Sequence, residues 1–219
     1  MLTTYSAAVF LHNCARLELP LICLTNEYTP PLFMKKVLQI YRDSSKPEIS
    51  YLNEPLAEGE QGNMQTLAAM ADLVRDQRTQ PDLRNFVLRE IIGGVRGHDS
   101  FGEVRAIFEY ARDRITYRKD PFGVERVADI WSTLYGLNAN GPEGDCGIKS
   151  GFVAACCALL GHKPAFVVIK QDARQRAFNH VYNVVVIDGQ PHYFDATPEG
   201  KPAGWEAKSE VKKIFPIFD

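Results

Sequence analysis

Several large classes of protein are excluded by what the sequence lacks. Its 219 residues contain no run that approaches the roughly 20 apolar residues needed to span a bilayer, so no membrane segment is expected. The formal net charge of −2 argues against a nucleic-acid or anionic-membrane partner. The five cysteines are too few and too irregularly spaced for a disulfide framework: Cys14, Cys23, Cys146, Cys156 and Cys157. Reduced thiols and a cytoplasmic location are therefore expected.

Motifs for metal ions and nucleotide cofactors are also missing. No group of Cys and His residues has the spacing of a metal site. Gly93-Gly94 lacks the Lys-Ser/Thr ending of a phosphate-binding loop. We therefore expect neither a metal nor a cofactor.

Residues 1–33 are predicted to form a peripheral N-terminal extension. Their apolar patches are interrupted by Arg16 and Glu18, and no basic segment precedes them, so a signal peptide fits poorly. Pro30-Pro31 separates this segment from Met34, which resembles a second start. The remaining length fits a single domain over residues 34–219.

The spacing of apolar residues predicts an α+β fold. Residues 36–41 have the composition of a strand, whereas residues 42–62 and 119–143 are rich in loop-forming residues. Apolar stripes at helical spacing then predict three helices, around residues 64–74, 83–95 and 100–115. The third of them would begin with a capping box formed by Ser100 and Glu103.

A fourth and central helix is predicted from Cys146 to a stop at Gly161. Beyond it the apolar pattern changes to the strand type. Four strands are predicted, at residues 165–169, 181–187, 192–194 and 211–215. Because helices come first and strands that can pair antiparallel follow, the predicted class is α+β with an antiparallel sheet.

Cys146 is the first candidate for chemistry because it lies where a polar loop becomes the central helix. Helix N-termini present unpaired N–H groups and the positive end of the helix dipole, which favour an anion. A thiolate at this place is expected to have a lowered pKa, and the thiolate is the nucleophilic form. Cys156 and Cys157, inside the helix, are interpreted as small core residues.

A cysteine nucleophile needs a base, and His180 is the histidine best placed to supply it. Asp188-Gly189, between two apolar runs, is typical of a two-residue type I′ hairpin. In that register Tyr182 faces Asp195, and His180 lies one diagonal step from Asp195 on the same face of the sheet. Diagonal neighbours are roughly 7–8 Å apart at the backbone, within reach of a hydrogen bond between imidazole and carboxylate. A three-residue loop would instead place Asp195 on the opposite face.

The residues also resemble a known family. Gly144-Asp145-Cys146, His180-Val181-Tyr182 and Tyr193-Phe194-Asp195 are similar to motifs of the transglutaminase-like superfamily, with the resemblance covering roughly residues 100–206. The resemblance implies a papain-like fold and a Cys-His-Asp triad, with Cys146 as nucleophile, His180 as base and Asp195 as orienting carboxylate. It is closest to small phage and bacterial members, which implies the cytoplasm of a bacterial or phage-infected cell.

Two departures from the family pattern concern the surroundings of Cys146. Gly147 and Ile148 follow the cysteine, where many small members have an aspartate, and no glutamine stands upstream near residues 128–130. Trp131 could offer its indole N–H to an oxyanion in place of that glutamine. Trp131 and Tyr182 are accordingly predicted to line the oxyanion or substrate site.

The predicted activity is cysteine-dependent acyl transfer at an amide or carboxamide of a protein or peptide substrate. Water as the acceptor would give a peptidase or amidase acting on a peptide or isopeptide bond, which is the favoured prediction. A lysine amine as the acceptor would give a protein cross-linking transglutaminase. A non-catalytic binding or phage-assembly module that keeps the fold is the third alternative.

Overall fold

The computed structural model describes residues 36–42, 50–135 and 141–218, which belong to one compact unit. The extension predicted over residues 1–33 lies outside the described residues. Within them, no helix combines the length and the apolar character that crossing a membrane requires. Cys146, Cys156 and Cys157 are free thiols in this part of the chain.

Helices and strands alternate along the described chain. The helices are Gly59–Gln77 (α1), Pro81–Phe86 (α2, continued by a π-helical turn over Val87–Ile91), Ser100–Arg114 (α3), Ile130–Tyr135 (α4) and Cys146–Leu159 (α5). The strands are Val37–Arg42 (β1), Ser50–Pro55 (β2), Thr116–Tyr117 (β3), Val124–Ala128 (β4), Glu143–Gly144 (β5), Pro164–Lys170 (β6), His180–Ile187 (β7), Gln190–Phe194 (β8) and Val211–Pro216 (β9). The mixed α and β class is confirmed.

The four C-terminal strands form one antiparallel sheet in the order β8-β7-β6-β9, as the apolar pattern predicts. A second sheet, in the order β2-β1-β4, was not predicted. In it β1 runs antiparallel to β2 and parallel to β4. The loop prediction for residues 42–62 is therefore wrong at β2 and at the start of α1. The loop prediction for residues 119–143 is wrong at β4 and α4. Strands thus also precede and interrupt the helices.

The central helix α5 is buried on nearly all sides. Phe152, Val153, Ala154, Cys156 and Cys157 are each at most 1% exposed, because α1, α3 and the strand β7 all pack against this helix. A helix that is apolar around its whole circumference belongs in a core. Gly161 ends this segment with φ of 92°, the left-handed conformation that glycine adopts at helix C-termini.

The hairpin between β7 and β8 has the predicted turn. Asp188 and Gly189 have φ of 51° and 77°, and a type I′ turn needs positive φ at both central residues. Ile187 pairs with Gln190, and Asn183 pairs with Phe194, which is the predicted register. The register therefore continues toward Tyr182 opposite Asp195.

The N-terminus of α3 is capped by a different residue from the one predicted. Asp99 is the N-cap, and its side chain accepts a hydrogen bond of 2.8 Å from the backbone N–H of Gly102. Ser100 is already the first helical residue, so the predicted capping box is wrong by one position. Aspartate is as good a cap as serine, and sequence alone could not rank the two neighbours.

Replacing Asp99 with alanine is expected to destabilise the fold by about 1 kcal/mol, because an N–H at the helix start loses its acceptor. Urea unfolding of Asp99→Ala and of Ser100→Ala measures the difference. Ser100→Ala serves as the matched control and should change stability by less than about 0.5 kcal/mol. A larger loss for Ser100→Ala than for Asp99→Ala would contradict the observed cap.

Candidate active site

His180 and Asp195 are joined by a buried hydrogen bond at the end of the hairpin. His180 Nε2 lies 2.7 Å from Asp195 Oδ2, and the two residues are 7% and 1% exposed. The other carboxylate oxygen, Oδ1, accepts the backbone N–H of Thr197 at 3.1 Å. An ionised carboxylate can only accept hydrogen bonds, so Nε2 carries the proton and Nδ1 presents a lone pair. The imidazole is thereby held in the orientation and tautomer of a base.

Cys146 is the first residue of α5, and the residue before it shapes that helix start. Asp145 is the N-cap, and its Oδ1 accepts the N–H groups of Gly147 at 2.9 Å and Ile148 at 3.2 Å. Gly144 is required here, because a Cβ at this position would lie 2.4 Å from Cγ2 of Ile148. The Gly-Asp-Cys sequence is therefore explained by close packing and capping at the start of α5.

Two hydrogen bonds fix α5 against the strand that carries His180. Ser150 Oγ donates to the carbonyl oxygen of Val181 at 3.0 Å, and Asn183 Nδ2 donates to the carbonyl oxygen of Ser150 at 3.1 Å. Both lie within the first turns of the helix and the first residues of the strand. They hold the Cys146 end of α5 beside the His180 end of β7.

Cys146 and His180 line the same cavity, which has a volume of about 280 Å³. Its wall includes the apolar residues Leu67, Met70 and Phe178 and the acidic residues Glu125 and Asp145. Asp195 lies behind His180. The structure thus brings together the three residues that the sequence selected.

The other two predicted site residues lie elsewhere. Trp131 packs against Phe86 and Tyr135, with ring centroids 5.5 and 5.6 Å away, and lines a separate groove. Tyr182 is fully buried and packs against the His180 ring, with centroids 5.8 Å apart. Neither Trp131 nor Tyr182 is among the residues that line the cavity shared by Cys146 and His180, and their role at the oxyanion or substrate site stays a prediction.

The Cys146 thiol is not ionised by its position alone. Burial, followed by the negative charge of Asp145, raises its pKa to about 12, and the charges of Glu125 and Asp195 act in the same direction. The backbone N–H of Val181 faces the thiol and acts to lower the pKa, but by less. The prediction of a lowered pKa is wrong because the helix start is desolvated and carries its own carboxylate.

Three carboxyl groups cluster beside this thiol. One oxygen from each of Asp120, Glu125 and Asp145 lies within 4.8 Å of the others. Burial, and then the charges of Asp145 and Asp120, raises the pKa of Glu125 to about 7. Burial, and then the charge of Asp120, raises the pKa of Asp145 to about 6. Such oxygens can bind a hard cation, although the guanidinium of Arg126 already pairs with Asp120 at 2.7 Å.

Two charged side chains near the site were missed from the sequence. Glu125 is half-buried in a strand too short to recognise, and only the fold brings it together with Asp120 and Asp145. Lys149 is only 1% exposed, and the residues around it in α5 are nearly all buried as well. A lone lysine inside an apolar helix was the signal that could have identified it.

Comparison with known proteins finds similarity to solved structures. The sequence matches no protein-family model and no curated protein. Three solved structures are similar: a "Putative Cysteine Protease from Cytophaga hutchinsonii" (18% identity, TM-score 0.40, covering 62% of this chain and 46% of that one), a "putative protease from Parabacteroides distasonis ATCC 8503" (11%, 0.46, 76% and 37%) and a "TGase" (18%, 0.36, 64% and 35%). The chain thus spans less than half the length of each.

Proposed function

We propose that the protein is a cysteine-dependent acyl-transfer enzyme that hydrolyses amide bonds in a protein or peptide substrate. Cys146 would be the nucleophile, His180 the base and Asp195 the residue that orients it. The observation that carries the proposal is the buried hydrogen bond of 2.7 Å between His180 and Asp195, beside a helix-start thiol in the same cavity. Burying such a polar pair is costly, which favours a functional reason for this one.

A papain-like core is part of the same proposal. In that arrangement the nucleophile begins a central helix that packs on an antiparallel sheet, and the base and its partner come from adjacent strands. Here α5 begins with Cys146, and β7 and the end of β8 carry His180 and Asp195. The contacts of Ser150 with Val181 and of Asn183 with Ser150 support this arrangement.

The reaction would begin with attack of Cys146 Sγ on the amide carbonyl carbon, while Nδ1 of His180 takes the thiol proton. The tetrahedral intermediate would collapse to a thioester as His180 returns that proton to the leaving amine. Water would then attack the thioester, with His180 taking a proton from the water and returning it to the sulfur. The products are a carboxylic acid, an amine and the original thiol.

The raised pKa of Cys146 gives His180 a specific task in this scheme. A thiol with a pKa of about 12 is almost entirely protonated at neutral pH. The thiolate would therefore form by transfer of its proton to His180 as the substrate reacts, and not by ionisation in the resting protein. The imidazolium formed in this way would be stabilised by the Asp195 carboxylate.

The oxyanion would be bound by backbone N–H groups at the start of α5. The N–H of Cys146 is the candidate closest to the reacting carbon, and one such donor is typically worth about 3 kcal/mol. Trp131 has no part in this proposal, because it lines a separate groove. The dipole of the fourteen-residue helix α5 would add to this stabilisation.

A non-catalytic binding module is the second candidate function. The observation in its favour is the same raised pKa, because a buried neutral thiol can be an inert core residue.

A cross-linking reaction needs only a lysine amine in place of water at the thioester, so it uses the same residues. Amide substrates supplied with and without a primary amine would separate hydrolysis from cross-linking.

Replacing His180 with alanine is expected to slow alkylation of Cys146 by neutral iodoacetamide at pH 7 by about 10²-fold, the size of a typical general-base contribution. The remaining rate should rise about tenfold per pH unit up to pH 9, because direct ionisation of a thiol with a pKa of about 12 would then limit it. Peptide mass spectrometry reads the modification at Cys146 separately from the other cysteines.

His192→Ala is the matched control, because His192 belongs to the same hairpin but contacts Phe101, on the face toward α3. Its alkylation rate should match the wild type within about twofold, as expected for a site away from the chemistry. The enzyme proposal fails if Cys146 reacts no faster than glutathione and His180→Ala leaves its rate unchanged. Cys156 and Cys157 are fully buried, so their modification would report unfolding.

A further inference from the structure

Lys149 places a buried ammonium beside the segment that directly follows the proposed orienting carboxylate. It follows Cys146 by three residues in α5, and the whole residue is only 1% exposed. Its Nζ donates to the carbonyl oxygens of Arg112 at 3.2 Å and Ala196 at 3.1 Å. An ammonium is seldom buried to this extent unless its charge is used or paired.

The two hydrogen bonds that Lys149 donates connect the helix α5 to the end of α3 and to the residue after Asp195. Arg112 lies in the last turn of α3, where helix carbonyl groups carry partial negative charge and favour a cation. Ala196 directly follows Asp195, and the next N–H, that of Thr197, binds Asp195 Oδ1. The ammonium therefore fixes the segment that holds the Asp195 carboxylate.

The charges around Lys149 come from each element that packs on it. Burial lowers the pKa of Lys149, and the negative charges of Glu199, Asp113 and Asp195 oppose this effect, while Arg112 adds to it. On the other side of the site, the thiol of Cys146 faces Asp145, Glu125 and Asp195. Lys149 thus places a buried positive charge among the carboxylates of Glu199, Asp113 and Asp195.

We propose that Lys149 is a positioning residue of the triad, which holds Asp195 in place through Ala196 and offsets the charge of that carboxylate. This inference rests on the proposed function. The positive charge of Lys149 would disfavour a second positive charge on the imidazole that Asp195 holds. The hydrogen bond to Ala196 fixes where that base points.

Lys149→Met, which keeps an unbranched side chain of similar size but removes the ammonium, tests the proposal through the pH profile of Cys146 alkylation. The acid limb of the profile should move to higher pH by about one unit, which lowers the rate at a fixed pH on that limb about tenfold. Lys163→Met is the matched control, because Lys163 is an exposed lysine beyond the other end of α5. Its profile should coincide with the wild type.

Lys149→Gln is the second variant, since it lacks the charge but keeps N–H donors for the two carbonyl groups. Its acid limb should move as far as that of Lys149→Met, with a smaller loss of the plateau rate. A purely structural role would lower the plateau and leave the midpoint of the limb in place, and that result in a folded variant overturns the proposal. Near-UV circular dichroism checks the fold of both variants.

Failure of the enzyme proposal would be distinguishable from failure of the inference on Lys149. If the enzyme proposal fails, the pH profile of Cys146 alkylation would be the same in the wild type and in His180→Ala. The inference on Lys149 concerns only whether the limb moves when the ammonium is removed. A limb that depends on His180 but does not move in either Lys149 variant would overturn the inference alone.

Discussion

Asp195→Asn is expected to lower the rate of Cys146-dependent amide hydrolysis by about 10²–10⁴-fold, because the imidazole would lose its required tautomer. Asp195 accepts two hydrogen bonds, from Nε2 of His180 and from the N–H of Thr197. An asparagine has only one oxygen, so its NH₂ group must face one of these two donors. If it faces His180, the proton moves to Nδ1 and the base is lost.

The alternative orientation of the asparagine side chain in Asp195→Asn would be costly in another way. Its NH₂ group would then oppose the N–H of Thr197, at a position where Asp195 is 1% exposed. A buried donor left without an acceptor costs about 1–3 kcal/mol, so the variant should also be less stable. Steady-state kcat/KM and urea unfolding measure the two effects.

Asp188→Asn is the matched control, because it makes the same change in the same hairpin. Asp188 is exposed and has φ of 51°, a conformation that asparagine adopts readily. Both its activity and its stability should stay close to the wild type. An Asp195→Asn enzyme with activity within about threefold of the wild type would remove Asp195 from the proposed mechanism.

Glu125→Gln is expected to stabilise the protein at pH 8 by about 1–3 kcal/mol and to have little effect at pH 5. Burial and the neighbouring carboxylates raise the pKa of Glu125 from 4.5 to about 7, so the folded protein binds this proton more tightly than the unfolded chain does. The stability that comes from the bound proton is fully present below pH 4.5. It is lost as the pH rises through 7, because Glu125 must then ionise inside the fold. A glutamine stays neutral at every pH, so the variant does not lose this stability.

Urea unfolding at pH 5 and pH 8 measures this effect, with Glu54→Gln on the exposed face of β2 as the matched control. The control should change stability by less than about 0.5 kcal/mol at both pH values. Equal stabilisation by Glu125→Gln at the two pH values would show that its charge is not the cause. The same variant should make Cys146 more reactive at pH 8, because one of the charges that raise its thiol pKa is gone.

The hairpin and the central helix could be predicted because their signals are local. Asp188-Gly189 sets the turn type, and the turn sets which residues share a face, so the contact of His180 with Asp195 followed from counting. The sequence predicted that a polar side chain caps the N-terminus of α3, but it did not predict which residue does so. The cap of α3 moved by one residue because Asp99 and Ser100 are both good N-caps.

The second sheet could not be predicted because its strands depend on distant partners. In β2, Tyr51 and Leu52 are both exposed, so the strand lacks the alternation that marks a buried face. The strand β4 is five residues long and pairs in parallel with β1, which lies more than 80 residues earlier. Its apolar residues are also too few to suggest a strand by themselves.

The electrostatics of the site were missed for the same reason. The N-terminus of α5 predicted a favourable place for a thiolate, and that effect is local. The opposing charges come from Glu125 on β4 and from Asp145 in the cap, and the desolvation comes from the packing of α1 and β7 on α5. Only the fold shows that these outweigh the helix dipole at Cys146.

The two-residue turn at Asp188-Gly189 also limits how this hairpin can change length. One residue added there would exchange the inward and outward positions of every residue in β8, and would carry Asp195 to the face where His192 now lies. Insertions and deletions in this loop are therefore incompatible with the proposed site, whereas residues 171–177, between β6 and β7, are not among those that line its cavity. Related chains that keep the site should differ in length at residues 171–177 and share the two-residue turn.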